Sequence, residues 1–438
     1  MNKNFAVRGG SGDIIEPKRD ARPQDNLYLA VNSEWIEKTK IPEDRSRMAS
    51  FDGIDVDVEK HLMQDFADFA AGKKEVPSVP NMDEAVKLYK LAKDFAKRNS
   101  DGAEPIKSDL ELLDGLKDFS DFNLNAPDLV TFAAIPFGLD VEPDMKNTKI
   151  NALNFAGPGT FLPDTTTYQT PDAPKLLDIL QKQSVKLLTM AGIAEEKAAK
   201  YAEDAIKFDA KLSKIVKSTE EWADYPATYN PMKIADFEAK FSDFQISYFL
   251  KEVIGEEPDR IIVQEPRYLD HINEIINKDN FAEIKGWMLV NFINGVADVL
   301  SQDFREASFP FTQALNGQPQ LSSGEKQAYH IANGSFSEVV GVYYGQTYFG
   351  EDAKKDVEDM IHRMLDVYKE RLQNNDWLSE QTKKRAIIKL DALVLKIGYP
   401  DKIEEIYNRL KVIPASQGGS LYSNERAFAI AEQKYNFE

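Results

Sequence analysis

Val357, Met360, Ile361, Met364, Leu365, Tyr368 and Leu372 are separated by 3, 1, 3, 1, 3 and 4 residues. That is the period of one face of an α-helix, and it argues against a strand, whose side chains alternate. The same spacing returns at Val58, Leu62, Phe66, Phe69 and Ala70, closed by Gly72, and at Ala85, Leu88, Ala92, Phe95 and Ala96. A linker rich in proline and charge, "AAGKKEVPSVPNMDE", separates those two stripes. A further stripe, Ala386, Ile387, Leu390, Leu393, Val394 and Ile397, ends on the stop signals Gly398 and Pro400. Stripes of this kind face a core. The fold class read from them is mainly α.

A minor β element is expected between residues 130 and 170. "KINALNFAGPGTFLPDTTTYQTPDAP" has a short alternating stretch and then turn residues at Gly157, Pro158, Gly159, Pro163 and Pro171. Helices resume near Pro174 and run, with a break at "AGIAEE", to about Ser218. "WADYPATYNPMK" and "QEPRYLD" read as loops. Residues 423–438, "SNERAFAIAEQKYNFE", read as a helix with Ser423 and Asn424 as N-cap residues and Glu425 in its first turn. No stop signal follows it, so the expectation is a helix whose continuation is missing.

At 438 residues the chain has room for two or three domains. With 54 Lys and Arg against 73 Asp and Glu, the net charge of −19 repels phosphate backbones and anionic lipid. Nucleic acid and membrane surfaces are therefore not expected partners. Cysteine is absent, which removes disulfides, thiolate nucleophiles and Cys-based metal sites and is compatible with a reducing compartment. The first 25 residues are polar and rich in Gly, Pro and Arg, without the apolar segment of a signal peptide. They read as an extended arm, and the protein as cytoplasmic.

The local signatures of catalysis are missing. The four histidines, His61, His271, His330 and His362, include no pair four residues apart and none followed by Glu, so there is no H-E-x-x-H. "DVEPDM" from Asp140 begins like a calcium loop, but Met145 stands where glycine is needed and Asn151 where the bidentate Glu belongs. "GPGT" at 157–160 lacks phosphate-loop spacing, and no G-x-S-x-G elbow occurs. One short stretch, "IPEDRSRMASFD" at 41–52, concentrates useful chemistry. Arg47, Phe51 and Asp52 place a planar five-donor cation, an apolar ring and a carboxylate within six residues. Arg can fork onto a peptide carboxylate or carbonyl, and Asp can hold the Arg in place. On these residues alone, a surface ion pair beside a core phenylalanine is the simpler reading.

"LYLAVNSEWIEKTKIPEDRSRMASFD", "LPDTTTY" at 162–168, "YNPM" at 229–232, "NGSFSEVVGVYYGQTYF" at 333–349 and "WLSEQTKKRAIIKLDALVLKIGYPD" at 377–401 follow one another along the chain. Together they resemble the neprilysin and endothelin-converting-enzyme family of zinc metallopeptidases, of the bacterial endopeptidase O type. The resemblance covers nearly everything after the first 20 residues and implies a multi-helix, two-lobed architecture enclosing a cavity for short peptides. It implies an N-terminal strip of the catalytic lobe at 26–57, a helical cap lobe at 58–330 and helices of the catalytic lobe at 331–438, with that lobe incomplete.

In the family a substrate-binding Asn-Ala-x-Tyr strand, H-E-x-x-H and a third glutamate ligand follow. None is present here. Zinc would polarise the peptide carbonyl and activate water in the complete enzyme, with the motif glutamate as base. This chain is expected to bind no metal and to be inactive by itself. By position in the motif, Arg47 and Asp52 match residues that contact the carboxyl end of a bound peptide, and Phe51 a wall of the apolar pocket beside the scissile bond. Asp55 stands where the family often has another cation. Alternatives to a portion of a metalloendopeptidase are a structural subunit completed by a separate chain carrying the zinc motif, and a non-catalytic peptide-binding protein. Apolar faces near the C-terminus are expected to be exposed or paired with another chain.

Overall fold

The computed structural model describes residues 15–255 and 258–438. The principal elements in chain order are α1 (Leu27–Lys38), α2 (Ser50–Ala70), α3 (Lys107–Gly115), β1 (Gly138–Asp144), β2 (Asn147–Ala156), α4 (Ala173–Met190), α5 (Glu195–Leu212), β3 (Pro231–Lys233), β4 (Arg260–Val263), α6 (Phe281–Val296), α7 (Ser337–Tyr344), α8 (Gly350–Gln373), α9 (Glu380–Asp391) and α10 (Leu421–Phe437). Further helices, among them Met82–Lys93, Phe119–Leu129 and Gly324–Ser335, and shorter helical turns connect them. The fold is mainly α with one small sheet, as read from the sequence. Among the described residues no helix is long and apolar enough to cross a membrane. Residues 1–14 of the expected arm lie outside the described residues. Of the remainder, Ile15 packs on Ile36 of α1, and the Lys18 N–H donates to Ser33 Oγ at 2.8 Å.

The chain divides into two compact units. One holds 15–58, 91–324 and 413–438; the other holds 59–90 and 325–412. These units interleave the sequence segments differently from the lobes set out above, because 59–90 go with 325–412 and 413–438 with 91–324.

In the first unit, α5 and α6 pack closely. Trp287 of α6 is buried and meets Phe208 edge-on at 5.7 Å. The sheet has the order β1-β2-β4-β3, with β1/β2 and β3/β4 antiparallel and β2/β4 parallel. Ala152, Leu153, Asn154 and Phe155 of β2 are all buried, so the strand is covered on both faces and does not alternate. Phe155 lies among Phe137, Phe237, Phe241 and Tyr268. Asp144, the last acid of the false calcium loop, accepts from the N–H groups of Lys146 (2.8 Å) and Asn147 (2.9 Å) and pairs with Arg260 at 2.6 Å. It is a turn residue. Two of the stretches read as loops contain structure: "WADYPATYNPMK" includes β3, and "QEPRYLD" includes the short helix Pro266–Asp270. β3 and β4 are only three and four residues long, too short for a periodic signal.

The loop after β2 is held by buried carboxylates. Glu265 accepts from the Gly157 N–H at 2.6 Å and the Lys217 N–H at 2.5 Å. Asp209, fully buried, accepts from the Phe161 N–H at 2.9 Å and from the Tyr168 hydroxyl. Burial pushes the Asp209 carboxyl up to about 6, despite those bonds. A raised folded pKa means that this group stabilises the fold most when protonated, and the contribution is lost as pH rises through about 6. Lowering the pH from 7.5 to 5 is expected to add about 1 kcal/mol from this residue. Urea unfolding at the two pH values, compared between the wild type and Asp209→Asn, checks it; an equal pH response in both proteins refutes it.

α10 docks onto the first unit. The Tyr422 hydroxyl donates to Asp109 of α3 at 2.5 Å, and Arg426 pairs with the same carboxylate at 2.7 Å. The helix begins three residues earlier than the sequence suggested. Ser420 is the N-cap in a reciprocal capping box with Ser423, while buried Asn424 exchanges bonds with the backbone of Ile413.

In the second unit Leu62, Phe66 and Phe69 of α2 are buried as their spacing predicts. Phe66 meets Tyr89 and Tyr329, and Phe69 meets Tyr343. Buried Asp65 accepts from the Tyr343 and Tyr348 hydroxyls, each at 2.5 Å, and from Lys74 at 2.7 Å. Tyr348 lies in a π-helical turn, Gly345–Phe349, between α7 and α8. A Cβ on Gly345 would strike the Tyr399 ring, and Phe349 packs on Gly398, whose φ of +70° suits glycine. Lys354 donates to the Tyr399 carbonyl at 3.1 Å and pairs with Asp401 at 2.7 Å. The motifs "GVYYGQTYF" and "KIGYPD" are thus two halves of one joint. The last stripe is corrected here: α9 stops at Asp391, and Leu393, Val394 and Ile397 lie beyond it. Val394 is 82% exposed, so continuing the helix would bury nothing.

Candidate functional site

Asn26 is the N-cap of α1, and its side chain accepts from the Leu29 N–H at 3.0 Å. Leu27, Tyr28 and Val31 on this helix are exposed, as are Phe51 (81%) and Ile54 at the start of α2. Phe51 is therefore not a core residue.

Asp52 sits in the first turn of α2, where the helix dipole favours a carboxylate, and accepts from the Ala49 N–H at 2.6 Å. Among the described residues no hydrogen bond joins it to Arg47, which is exposed. The backbone, not an Arg47 partner, fixes Asp52. Asp55, in place of the family's cation, pairs with Arg45 at 2.9 Å. The strip therefore brings Arg47, Phe51 and Asp52 together within one loop-to-helix corner, with the guanidinium not held by the acid.

The histidines stand in separate surroundings. His61 stacks on Tyr348 with ring centres 5.9 Å apart. His330 Nε2 lies 2.9 Å from Glu59, which also pairs with Lys326 at 2.8 Å. His271 Nδ1 lies 2.9 Å from the Arg267 carbonyl, and His362 is exposed on α8. Among the described residues no three His, Asp or Glu side chains are placed to hold a metal ion.

A profile of peptidase family M13 matches residues 23–400. The chain belongs to peptidase family M13. It is 56% identical over 436 residues to the neutral endopeptidase of Lactobacillus helveticus, covering 99% of this chain and 67% of that protein. The neutral endopeptidase of Lactococcus lactis subsp. lactis strain IL1403 is 37% identical, with 93% and 64% covered. Among solved structures, PEPO from Lactobacillus rhamnosis HN001 matches at a TM-score of 0.87 and 32% identity, over 95% of this chain and 66% of that one. The zinc metalloprotease Zmp1 of Mycobacterium tuberculosis, at 22% identity and a TM-score of 0.84, shares the fold. This M13 chain spans about two thirds of the length of those relatives.

One cluster in this M13 chain had no sequence signal. The Asp65 group joins α2 to residues 278 and 283 positions away, and nothing in either segment announces the other.

Proposed function

We propose that these 438 residues form the N-terminal portion of an M13 zinc metalloendopeptidase that hydrolyses short peptides inside an enclosed cavity. The observation that carries the reading is 56% identity along 436 residues to a protein named neutral endopeptidase. In this reading 26–57 and 331–438 contribute to the catalytic lobe, and 58–330 supply the cap lobe. The absence of cysteine suits a cytoplasmic location.

Within the cleft, Arg47 and Asp52 lie at the carboxyl end of the peptide, which Arg47 binds with its five-donor fork, and Phe51 forms an apolar wall. Without H-E-x-x-H the chain by itself does not turn over. The zinc of the complete enzyme takes its ligands from outside these residues, supplied by a complementary chain where there is one.

Two measurements test this. Metal analysis and peptide cleavage by the 438-residue chain are expected to give neither stoichiometric zinc nor turnover, and finding both overturns the inactivity. Binding of a short fluorescent peptide should weaken about tenfold in Arg47→Ala, equivalent to about 1.4 kcal/mol. The same peptide with an amidated C-terminus should be insensitive to the substitution. Equal losses for acid and amide would remove Arg47 from carboxylate recognition.

A further inference from the structure

Asn-Gly occurs at three places in the chain, Asn294-Gly295, Asn316-Gly317 and Asn333-Gly334. The step is reactive because glycine has no Cβ to keep its backbone nitrogen away from the asparagine side chain. Reaction requires that nitrogen to swing toward Cγ, which turns ψ of the asparagine out of the helical region. The fold treats the three sites differently.

Asn294 lies in α6 with its side chain engaged at both ends. Its Oδ1 accepts from Gln183 of α4 at 2.8 Å, and its Nδ2 donates to Ser184 Oγ at 2.9 Å and to the Val290 carbonyl at 2.8 Å. Turning its backbone would also displace Ala297, which is fully buried. Asn333 lies inside the helix Gly324–Ser335, three residues before Phe336. The Phe336 side chain is fully buried, and its N–H donates to the Ala332 carbonyl at 3.1 Å. Asn316, by contrast, is the last residue of the helix Phe309–Asn316, which has no buried residue. Its side chain makes no hydrogen bond among the described residues. Gly317 leaves the helix at once, with φ +67° and ψ 22°, and its N–H donates to the Gln313 carbonyl at 2.9 Å. That bond closes the final turn, where helices fray. None of residues 317–321 is buried, so turning this peptide pulls nothing out of a core.

We propose that Asn316 is a site of spontaneous covalent modification, converting to aspartate and isoaspartate through a cyclic imide formed with Gly317. The Gly317 nitrogen gives its proton to hydroxide and bonds to Asn316 Cγ. The Cγ–Nδ2 bond breaks, and ammonia leaves with a proton taken from water. Water then opens the five-membered ring at either carbonyl. Opening at Cγ gives aspartate; opening at the main-chain carbonyl gives isoaspartate, whose backbone runs through Cβ. One ammonia is lost and one water gained, with no change of oxidation state. The product sets a negative charge at a helix C-terminus, the end where the dipole disfavours it. The inference stands apart from the peptidase reading.

The full chain, held at pH 9 and 37 °C and then digested with trypsin, carries the three sites on separate peptides, residues 286–305, 306–326 and 327–354. Mass spectrometry is expected to find the one-dalton gain on 306–326 at least about tenfold faster than on the other two, whose sites open only with a larger part of the fold. In guanidinium chloride the three rates should come within about threefold of one another, because no fold then separates them. Fragmentation should place the gain on Asn316, and Asn316→Gln, which would need a six-membered ring, should remove it. Comparable rates at the three sites in the folded chain overturn the proposal. So does a lead that persists in guanidinium chloride, because local sequence and not the fold would then select the site.

Discussion

Asp65→Ala is expected to destabilise the second compact unit by about 3 kcal/mol. The carboxylate is buried and accepts from Tyr343 and Tyr348 at 2.5 Å and from Lys74 at 2.7 Å. Burial alone would push its pKa up, but the bonds from Lys74, Tyr343 and Tyr348 outweigh burial and leave it below the usual carboxylate value. Bonds to an ionised acceptor are worth more than neutral ones, and Tyr343 is 2% exposed, so water cannot replace the lost acceptor cheaply there. Lys74 and Tyr348 are partly exposed and recover hydration, which keeps the loss below the sum of three bonds.

Hydrogen exchange of the amides in 337–349 should speed up about a hundredfold, the factor that corresponds to roughly 3 kcal/mol. Asp65→Asn, which keeps one oxygen acceptor, should lose about half as much. A depressed folded pKa places the stabilisation above the unfolded value and removes it as pH falls through the folded one. The difference between wild type and Asp65→Ala should therefore be full at pH 7 and shrink in acid. Unchanged exchange in the alanine variant would dismiss Asp65 as the anchor of the π-helical turn.

Gly286→Val should cost the first unit about 3 kcal/mol or more. A Cβ at this position of α6 would lie 2.6 Å from the Tyr201 carbonyl oxygen and 3.1 Å from the Asp204 Cβ on α5. The obstacle is backbone, which cannot swing aside as a side-chain tip can, so the two helices must separate. Separation loosens the packing of the adjacent Trp287 against Phe208. Gly295→Ala on the same helix provides the contrast. Nothing lies within 4 Å of its built Cβ, so relief of the glycine penalty should leave stability unchanged or raised by up to about 1 kcal/mol. Urea unfolding followed by far-UV circular dichroism separates the outcomes. Equal effects at the two glycines would mean that close helix approach is not what Gly286 provides.

These two sites show why legibility differed along the chain. Leu62, Phe66 and Phe69 could be assigned to a buried helix face because the information is local: side chains three and four apart share a face whatever they pack against. The end of β2 was legible for a similar reason, through Gly157, Pro158 and Gly159 that follow it, whereas β1 lies in the stretch that read only as a failed calcium loop. β3 and β4 were not, since a strand of three or four residues acquires its pairing from segments far away in sequence. For Arg47, Phe51 and Asp52, proximity was legible but connectivity was not: Asp52 bonds to the Ala49 N–H, and Asp55 is taken by Arg45. The N-cap of α10 shows the same limit, because Ser420, Ser423 and Asn424 are all competent caps and only the chain direction before the helix selects Ser420.

The sequence by itself determined the helical class, the family and the lack of an H-E-x-x-H zinc motif, because periodicity and motif spacing are properties of short stretches of chain. Only the tertiary structure decided that "GVYYGQTYF" and "KIGYPD" close on one another through Gly345 and Tyr399. It also decided that one aspartate collects two tyrosines and a lysine. Burial and hydrogen-bond partnership depend on what arrives from elsewhere in the chain, and no local pattern encodes the arrival.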